Sequence, residues 1–383
     1  MAANTIYFGT NRQIVREKPA KLGNSYNADR PYYFRVGEVL VARVGDSWKN
    51  PDKAYKCGKP VLYREKPDRA NPANEVLGSS KLFESLHATM RNDPRDVLIF
   101  LHGFASPFEG AMERAAELRD QYLSPRTDPD TGILGKRGRE PLVFAFSWPS
   151  DGKVASFVED PTEQDDREWA YSSDREDARA SGMAIARCAL RMFEFLHQIS
   201  RDQQCSQRIH LVAHSMGNWA LRHAVQELKV LAEGAGMPLT RIFDNTFLMA
   251  ADINDDALEK EDWLAPLLRL SRKVHVYHAT NDSALSLSDV KPNQGARMGH
   301  YGPANMAVLS DRVTAIDCSD VSFTPSLSHV RHQYYRIAPE VVRDVRGVLA
   351  DKAPDEIAGR RSLGGGRYRV LLNNKVRKKL RGG

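Results

Sequence analysis

Residues 209–218 read Ile-His-Leu-Val-Ala-His-Ser-Met-Gly-Asn, and this stretch decides the fold. Its first five residues predict a buried strand, and the segment from Asn218 to Ala232 has helical spacing. Ser215 lies at the turn between them, and the residues two positions away, Ala213 and Gly217, are both small. A serine in such a strand–turn–helix context has the arrangement of a nucleophile elbow. The stretch therefore predicts a reactive serine at the carboxyl end of a buried strand.

The same alternation of short apolar runs and helix-length segments extends on both sides of this stretch. The predicted strands are 5–9, 32–44, 97–101, 142–146, 209–213, 243–250, 274–279 and 313–318, and the predicted helices are 108–122, 174–199, 218–232 and 339–349. Repeated strand–helix alternation predicts an α/β fold, with a doubly wound, mostly parallel sheet and helices on both faces. Reactive side chains in such sheets collect at the carboxyl ends of the strands.

The chain divides by composition into three parts. Residues 1–93 carry strands and loops that lead into the sheet, and residues 94–350 form the core, with an insertion at 124–140 rich in Arg, Gly, Pro and Asp. Residues 351–383 form a basic tail, because residues 359–383 hold nine Lys and Arg and no Asp or Glu. We interpret the tail as a solvated extension. Two alternatives are a polyanion-binding segment and a final strand through residues 368–372.

Composition excludes several classes of protein. Hydrophobic residues at 42% and charged residues at 27% are typical of a globular domain and exclude wholesale disorder. The longest apolar runs fall far short of the ~20 residues that a membrane-spanning helix needs. The first residues lack the pattern of a secretory signal. Four scattered cysteines (Cys57, Cys188, Cys205, Cys318) argue against a disulfide framework and a cysteine-built zinc site. We therefore expect a cytoplasmic protein.

A serine hydroxyl needs a general base and an acid that orients it. In hydrolases of this topology the acid and then the histidine follow the serine along the chain. Asp252 and Asp282 each follow a predicted strand. Asp282 is preferred because it follows the later strand, the commoner place for the acid in this fold, and Asp252 is the alternative. His329 and His332 are the two histidines after the last strand, and either one fits the position of the base.

An oxyanion needs two backbone donors aimed at it. One is predicted to be the N–H of Met216, directly after the serine and at the head of a helix, where the helix dipole also helps. The other is predicted to be the N–H of Phe104, in the loop that follows strand 97–101. No metal and no organic cofactor is needed for this chemistry.

Four more residues are assigned to the pocket around these groups. Gly103 lets the backbone of the oxyanion loop bend, and His214 directly precedes the serine. His102 fits a role in bracing the loop better than a role in proton transfer. Trp148 ends another strand, where it either forms a pocket wall or packs in the interior.

Several motifs together resemble the DUF900 family of bacterial α/β hydrolases. They are Tyr7–Arg12, Phe100–Phe104 with Phe108 and Glu109, Phe146–Gly152, Ala213–Asn218, Ala250–Ile253, Asn281–Leu285 and His332–Tyr335. The resemblance implies an α/β-hydrolase fold and a serine hydrolase. It also implies that His332 is the base rather than His329, because a family histidine precedes a serine and two aromatics where this chain has Gln333. The family carries both aspartates, so the choice of acid stays open.

Two functions from different classes follow. The first is a serine hydrolase, of the carboxylesterase or lipase type, that cleaves a carboxylic ester or related acyl bond in a small-molecule substrate. The second is a hydrolase-fold interaction protein whose basic tail docks on nucleic acid, an anionic membrane or an acidic partner.

Overall fold

One large sheet runs through the computed structural model. The structure describes residues 4–26, 32–66, 76–92, 95–127, 134–151, 164–198, 207–236, 238–285, 295–322 and 331–374. In spatial order the described strands of this sheet are β17 (Arg360–Gly364), β18 (Arg367–Val370), β16 (Val313–Asp317), β15 (Ser271–His278), β14 (Phe243–Met249), β13 (Ile209–His214), β9 (Val97–Leu101), β12 (Leu142–Ser147), β1 (Asn4–Thr10), β4 (Arg35–Arg43) and β5 (Tyr55–Cys57), with β6 (Val61–Leu62) also paired to β4. All neighbours from β18 to β1 are parallel, and the pairs outside them are antiparallel. This confirms the predicted mostly parallel sheet.

Three short pairs of strands lie outside the large sheet. They are β2 (Arg12–Glu17) with β3 (Ala20–Tyr26), β7 (Glu65–Lys66) with β8 (Val76–Leu77), and β10 (Ser124–Thr127) with β11 (Leu134–Arg139). The last pair is antiparallel and occupies the insertion at 124–140.

Helices cover both faces of the sheet. They are α1 (Gly78–Asn92), α2 (Phe108–Gln121), α3 (Gln164–Ala180), α4 (Gly182–Gln198), α5 (Gly217–Gly234), α6 (Leu267–Leu270), α7 (Met298–Tyr301), α8 (Tyr334–Ile337) and α9 (Pro339–Leu349), with 3-10 turns at Pro51–Lys53, Ala257–Glu259 and Pro354–Glu356. Successive residues of β9 alternate between the faces. Val97 and Leu101 pack in the cluster under α1, α4 and α5, and Leu98 and Phe100 pack in the cluster under α2 and α9. None of the described helices is both long and apolar enough to cross a bilayer.

The helix predicted over 174–199 is two helices that meet at Ser181. The Ser181 hydroxyl donates to the carbonyl of Asp177 (2.7 Å) and accepts from the Asn11 amide (2.9 Å). A Cβ atom on Gly182 would lie 2.7 Å from Cβ of His223, so α4 approaches α5 more closely than any other residue would allow. The spacing of apolar residues continues from α3 into α4 without interruption, which is why the sequence predicts a single helix.

The tail is part of the sheet, which corrects its interpretation as a solvated extension. The β17–β18 hairpin adds to the edge beside β16, and Tyr368 and Val370 are buried in the cluster under α9. Arg360 donates two hydrogen bonds to Asp344 of α9, at 2.6 and 2.8 Å. Arg369 donates to Asp317 at the end of β16 (2.9 Å). Two of the basic residues therefore neutralise buried carboxylates. Residues 375–383 lie outside the described part of the chain.

The segments on either side of the predicted boundaries at residues 93 and 350 contribute strands to the same sheet. The strands β1, β4 and β5 precede the first boundary, and β17 and β18 follow the second, yet all five belong to the large sheet. The physical reason is that β1 pairs in parallel with β12, so the amino-terminal segment provides an internal strand rather than a lead into the sheet.

Replacing Arg360 with Gln should lower the free energy of unfolding by about 3–5 kcal/mol, because it leaves the buried Asp344 carboxylate without its cationic partner and with the Tyr277 hydroxyl as a donor. Only 1% of the Arg360 side chain and 2% of the Asp344 side chain are exposed. The measurement is chemical denaturation. Arg361→Gln is the matched control, because Arg361 is exposed on the same strand. Equal stability of the two variants would contradict this role for the tail.

Candidate active site

Ser215 lies in a strained turn between β13 and α5. Its φ of 52° is in the left-handed region, which residues other than glycine rarely adopt and which costs about 1–3 kcal/mol. Hydrogen bonds hold the turn: Ser215 N–H donates to the Met249 carbonyl (2.9 Å). The Asn218 side chain donates to the carbonyls of Ala213 (3.0 Å) and Ser215 (3.1 Å). The surrounding backbone therefore fixes the conformation predicted for a nucleophile elbow.

Close backbone approach brings the elbow against the loop that follows β9. A Cβ atom on Gly217 would lie 2.6 Å from the carbonyl oxygens of Leu101 and His102. A Cβ atom on Gly103 would lie 2.9 Å from Cβ of Ser215. Neither glycine position therefore has room for a side chain, and the loop that carries Phe104 lies beside the serine.

His332 and Asp282 form a buried pair. His332 Nδ1–H donates to Asp282 Oδ2 over 2.7 Å, and the other carboxylate oxygen accepts the N–H groups of Ala284 (3.1 Å) and Leu285 (3.3 Å). The carboxylate is thus fixed in orientation, and this tautomer leaves Nε2 of His332 as an acceptor. Burial acts to lower the pKa of His332, but the charge and hydrogen bond of Asp282, with a smaller contribution from Asp252, outweigh it and raise that pKa.

Asp252 lies beside the elbow but its carboxylate has other partners. Its N–H donates to the Ser215 carbonyl (3.3 Å), Oδ2 accepts the Tyr171 hydroxyl (2.7 Å), and Oδ1 lies 3.3 Å from Nε of Arg297. Arg297 and Asp252 are both buried. The alternative base, His329, lies outside the described residues.

The two predicted oxyanion donors have no hydrogen-bond acceptor within the described chain. Neither Phe104 N–H nor Met216 N–H donates to any described residue, although both lie next to Ser215 in space or in sequence. Met216 directly precedes the first residue of α5, where the helix dipole favours negative charge. Within the described ranges, the amides of Phe104 and Met216 are therefore two N–H donors without an intramolecular acceptor.

The remaining predicted pocket residues are buried around the loop. The His102 ring stacks on Trp148 with centroids 4.8 Å apart, and Trp148 Nε1–H donates to the His102 carbonyl (2.9 Å). Burial, with the Arg12 charge, lowers the pKa of His102 to about 3. Trp148 is fully buried, so it packs in the interior rather than lining an open pocket. Burial and the neighbouring His332 lower the pKa of His214, so His102 and His214 are both neutral at pH 7.

Sequence reasoning missed the two partners of Asp252. Tyr171 lies on α3 and Arg297 directly precedes α7, so both are remote from Asp252 along the chain. No local spacing signals such a contact. No group of three or more His, Cys, Asp or Glu in the described ranges is arranged to hold a metal ion.

Comparison with known proteins assigns the family. The profile of the family described as an alpha/beta hydrolase of unknown function, DUF900, matches residues 80–350. An uncharacterised protein of Nostoc sp. (strain PCC 7120) is 24% identical over an alignment of 232 residues, and the match covers 51% of this chain and 55% of that protein. The match thus spans about half the length of this curated relative.

The solved structures include one of a cell-surface hydrolase candidate from Lactobacillus plantarum WCFS1. It is 14% identical with a TM-score of 0.31, and the alignment covers 74% of this chain and 96% of that one. A structural similarity this low supports no conclusion about the site. The family match, however, spans most of the chain, and it agrees with the mostly parallel sheet and its helices on both faces. The chain belongs to the DUF900 family of α/β hydrolases.

Proposed function

We propose that the protein is a serine hydrolase that cleaves a carboxylic ester or a related acyl bond. Ser215 is the nucleophile, His332 the general base and Asp282 the acid that orients it. The observation that carries the proposal is the 2.7 Å pair of His332 and Asp282 next to a strained serine turn. The His332 ring lies 4.8 Å, between centroids, from the ring of His214, the residue before Ser215. Packing of the interior does not by itself require a buried His–Asp pair and a strained serine turn to lie together.

The reaction proceeds in two halves. Ser215 Oγ attacks the acyl carbon while its proton passes to Nε2 of His332, and Asp282 stabilises the resulting imidazolium. The N–H groups of Phe104 and Met216 bind the negative oxygen of the tetrahedral intermediate. His332 then protonates the leaving alcohol, and an acyl-enzyme remains. In the second half His332 takes a proton from water, and the water attacks the acyl carbon to give a second tetrahedral intermediate. This intermediate collapses as the bond between the acyl carbon and Ser215 Oγ breaks. His332 returns the proton to Ser215 Oγ, and the carboxylic acid leaves.

Asp282 suits the role of acid better than Asp252. A carboxylate that accepts the imidazole N–H fixes the tautomer and stabilises the cation. The Asp252 carboxylate already accepts from Tyr171 and lies against the Arg297 cation, which offsets its charge. Asp252 therefore raises the pKa of His332 through its charge alone, and by less than Asp282 does.

The substrate in this proposal is a small-molecule acyl ester, and thioesters or amides would use the same groups. The alternative function, docking through a basic tail, loses support because Arg360 and Arg369 pair with carboxylates of the same chain. The proposed location is the cytoplasm, and it rests on the sequence pattern.

Ser215→Ala should reduce the hydrolysis of short p-nitrophenyl esters by about 10⁴-fold or more, because the remaining groups cannot form an acyl-enzyme. The same change should abolish covalent labelling by a fluorophosphonate, with the adduct of the unmodified protein located on Ser215 by mass spectrometry. Ser362→Ala is the control, because Ser362 is an exposed serine on β17. Full activity in the Ser215 variant would disprove this assignment.

Asp282→Asn should lower kcat by about 10⁴-fold, since His332 would lose its tautomer and its counter-charge. Asp252→Asn should retain far more of kcat, although it should lower stability because Arg297 loses its partner. The comparison requires kcat and the melting temperature of both variants. A larger loss of kcat in Asp252→Asn would move the acid to Asp252.

The pH dependence of kcat/KM should show an acid limb with its midpoint above 6.5. His332 acts as a base only when neutral, and its pKa is raised above the ordinary value by Asp282. Activity therefore falls as the pH falls through that raised pKa. Steady-state kinetics between pH 5 and 9 measure the midpoint. A midpoint clearly below 6.5 would show that Asp282 does not act on the base.

A further inference from the structure

The loop that carries the Phe104 donor is tied back at its next two amides. Ala105 has a φ of 52°, a left-handed conformation that disfavours alanine. Its N–H donates to Asp174 Oδ2 over 3.0 Å, and the N–H of Ser106 donates to Ser150 Oγ over 2.9 Å. Of the three consecutive amides at 104–106, only that of Phe104 has no acceptor in the described chain.

Asp174 joins this loop to the loop that follows β12. The carboxylate is fully buried on α3. Besides Ala105 N–H, it accepts the Ser150 hydroxyl (2.5 Å) and the Asp151 N–H (3.0 Å). One side chain from a helix therefore fixes the ends of two neighbouring strands. The hydrogen bonds also hold Ala105 in a conformation that it would not otherwise favour.

Arg12 binds the same two loops through their carbonyls. Its side chain is buried next to β1, and Nη2 donates to the Ser106 carbonyl (2.7 Å). Nε donates to Ser147 Oγ (2.9 Å) and Nη1 to the Ser150 carbonyl (3.3 Å). Burial lowers the pKa of Arg12 to about 10 and the nearby Asp174 charge opposes that shift, so Arg12 stays a cation at pH 7. Arg12 therefore binds the loops after β9 and β12 through their oxygen acceptors, and Asp174 binds the same loops through their N–H and O–H donors.

We propose that Asp174 and Arg12 are positioning residues that fix the Phe104 amide in the orientation required to bind the oxyanion. The inference rests on the proposed function of Ser215 and extends it. A donor stabilises a transition state best when it is oriented before charge develops, so that no reorganisation occurs during the reaction. Asp174 and Ser150 occupy the amides of Ala105 and Ser106, and Arg12 holds the carbonyl of Ser106. The peptide of Phe104 therefore has little freedom to turn away.

The proposal gives a role to two motifs that the proton-transfer groups leave unexplained. Arg12 ends the Tyr7–Arg12 segment, and Ser150 and Asp151 belong to the Phe146–Gly152 segment. These segments are far apart along the chain, and α3 contributes Asp174 from a third region. All three meet at the loop after β9, and none of them contacts the His332–Asp282 pair through a described hydrogen bond.

The test is Asp174→Asn in the full chain. An Asn side chain presents N–H groups where the carboxylate accepts from three donors, so the loop should shift. We expect kcat to fall by about 10²-fold with little change in KM, because a misplaced donor affects the transition state rather than the bound ester. The affinity for a trifluoromethyl ketone, which forms a tetrahedral adduct with the serine, should fall by a similar factor.

The matched control is Asp177→Asn, one turn further along α3. The Asp177 side chain has no hydrogen bond in the described structure, and burial with the Asp174 charge raises its pKa to about 7. Its activity should stay within about twofold of the unmodified protein. A melting-temperature decrease for Asp174→Asn with unchanged kcat would overturn the proposal, because it would show a purely structural role. An increase in KM with unchanged kcat would overturn it as well.

A second variant, Ser150→Ala, keeps both buried charges and removes the hydroxyl that accepts from Ser106 N–H and donates to Asp174. It keeps the proposal testable if Asp174→Asn does not fold. We expect a smaller loss of kcat, about tenfold, again without a matching change in KM. Unchanged kcat in this variant would overturn the proposal. Fluorophosphonate labelling of the unmodified protein is measured alongside: if Ser215 is not labelled, the proposed function itself fails, whereas labelling with unaffected variants refutes only the positioning role.

Discussion

The close contact between the Ser215 turn and the loop after β9 is the constraint on which the rest of the site depends. Strands β13 and β9 are neighbours in the sheet, so their carboxyl ends emerge side by side. The backbones then approach so closely that Gly103 and Gly217 have no room for a side chain. This contact sets the separation between the serine and the Phe104 amide. Asp252 N–H and the His332 carbonyl are bonded to the serine side, and Asp174 and Ser150 are bonded to the loop side.

Several buried charges near this contact face an opposite charge. Arg297 lies against Asp252, Arg336 donates to Glu117 (2.9 Å), and Arg12 faces Asp174. A buried ion pair adds little net stability, but removal of one partner is strongly destabilising. Such pairs therefore hold loops in a single arrangement. In this chain they occur at the carboxyl ends of strands and in the helices that cover them, which is where a reactive site needs fixed loops.

How much the sequence predicts depends on whether the signal is local. The β13–Ser215–α5 unit, the neighbouring strands and α9 (Pro339–Leu349) are encoded in continuous runs, and their bounds agree with the structure within a few residues. The basic composition of the tail hides the alternation of Tyr368 and Val370 that is typical of a strand. The Asp344 carboxylate that pairs with Arg360 is on another element, so no local pattern indicates this contact. Asp174 carries no pattern of its own. Its role depends on three segments that meet only after the sheet has formed.

Two adjacent imidazoles illustrate how the fold assigns different chemistry to the same side chain. The rings of His214 and His332 have centroids 4.8 Å apart, and both are buried. Two cations at that distance would repel each other, so at most one ring is expected to carry a positive charge. Of these two rings, that of His332 donates to Asp282, and the charge of Asp282 raises the pKa of the His332 ring. His214 donates from Nε2 to the His332 carbonyl (3.2 Å) and stacks on Tyr335, and burial lowers its pKa. The neutral ring of His214 thus helps to position that of His332, and in the proposed mechanism the Asp282 carboxylate makes His332, rather than His214, the base.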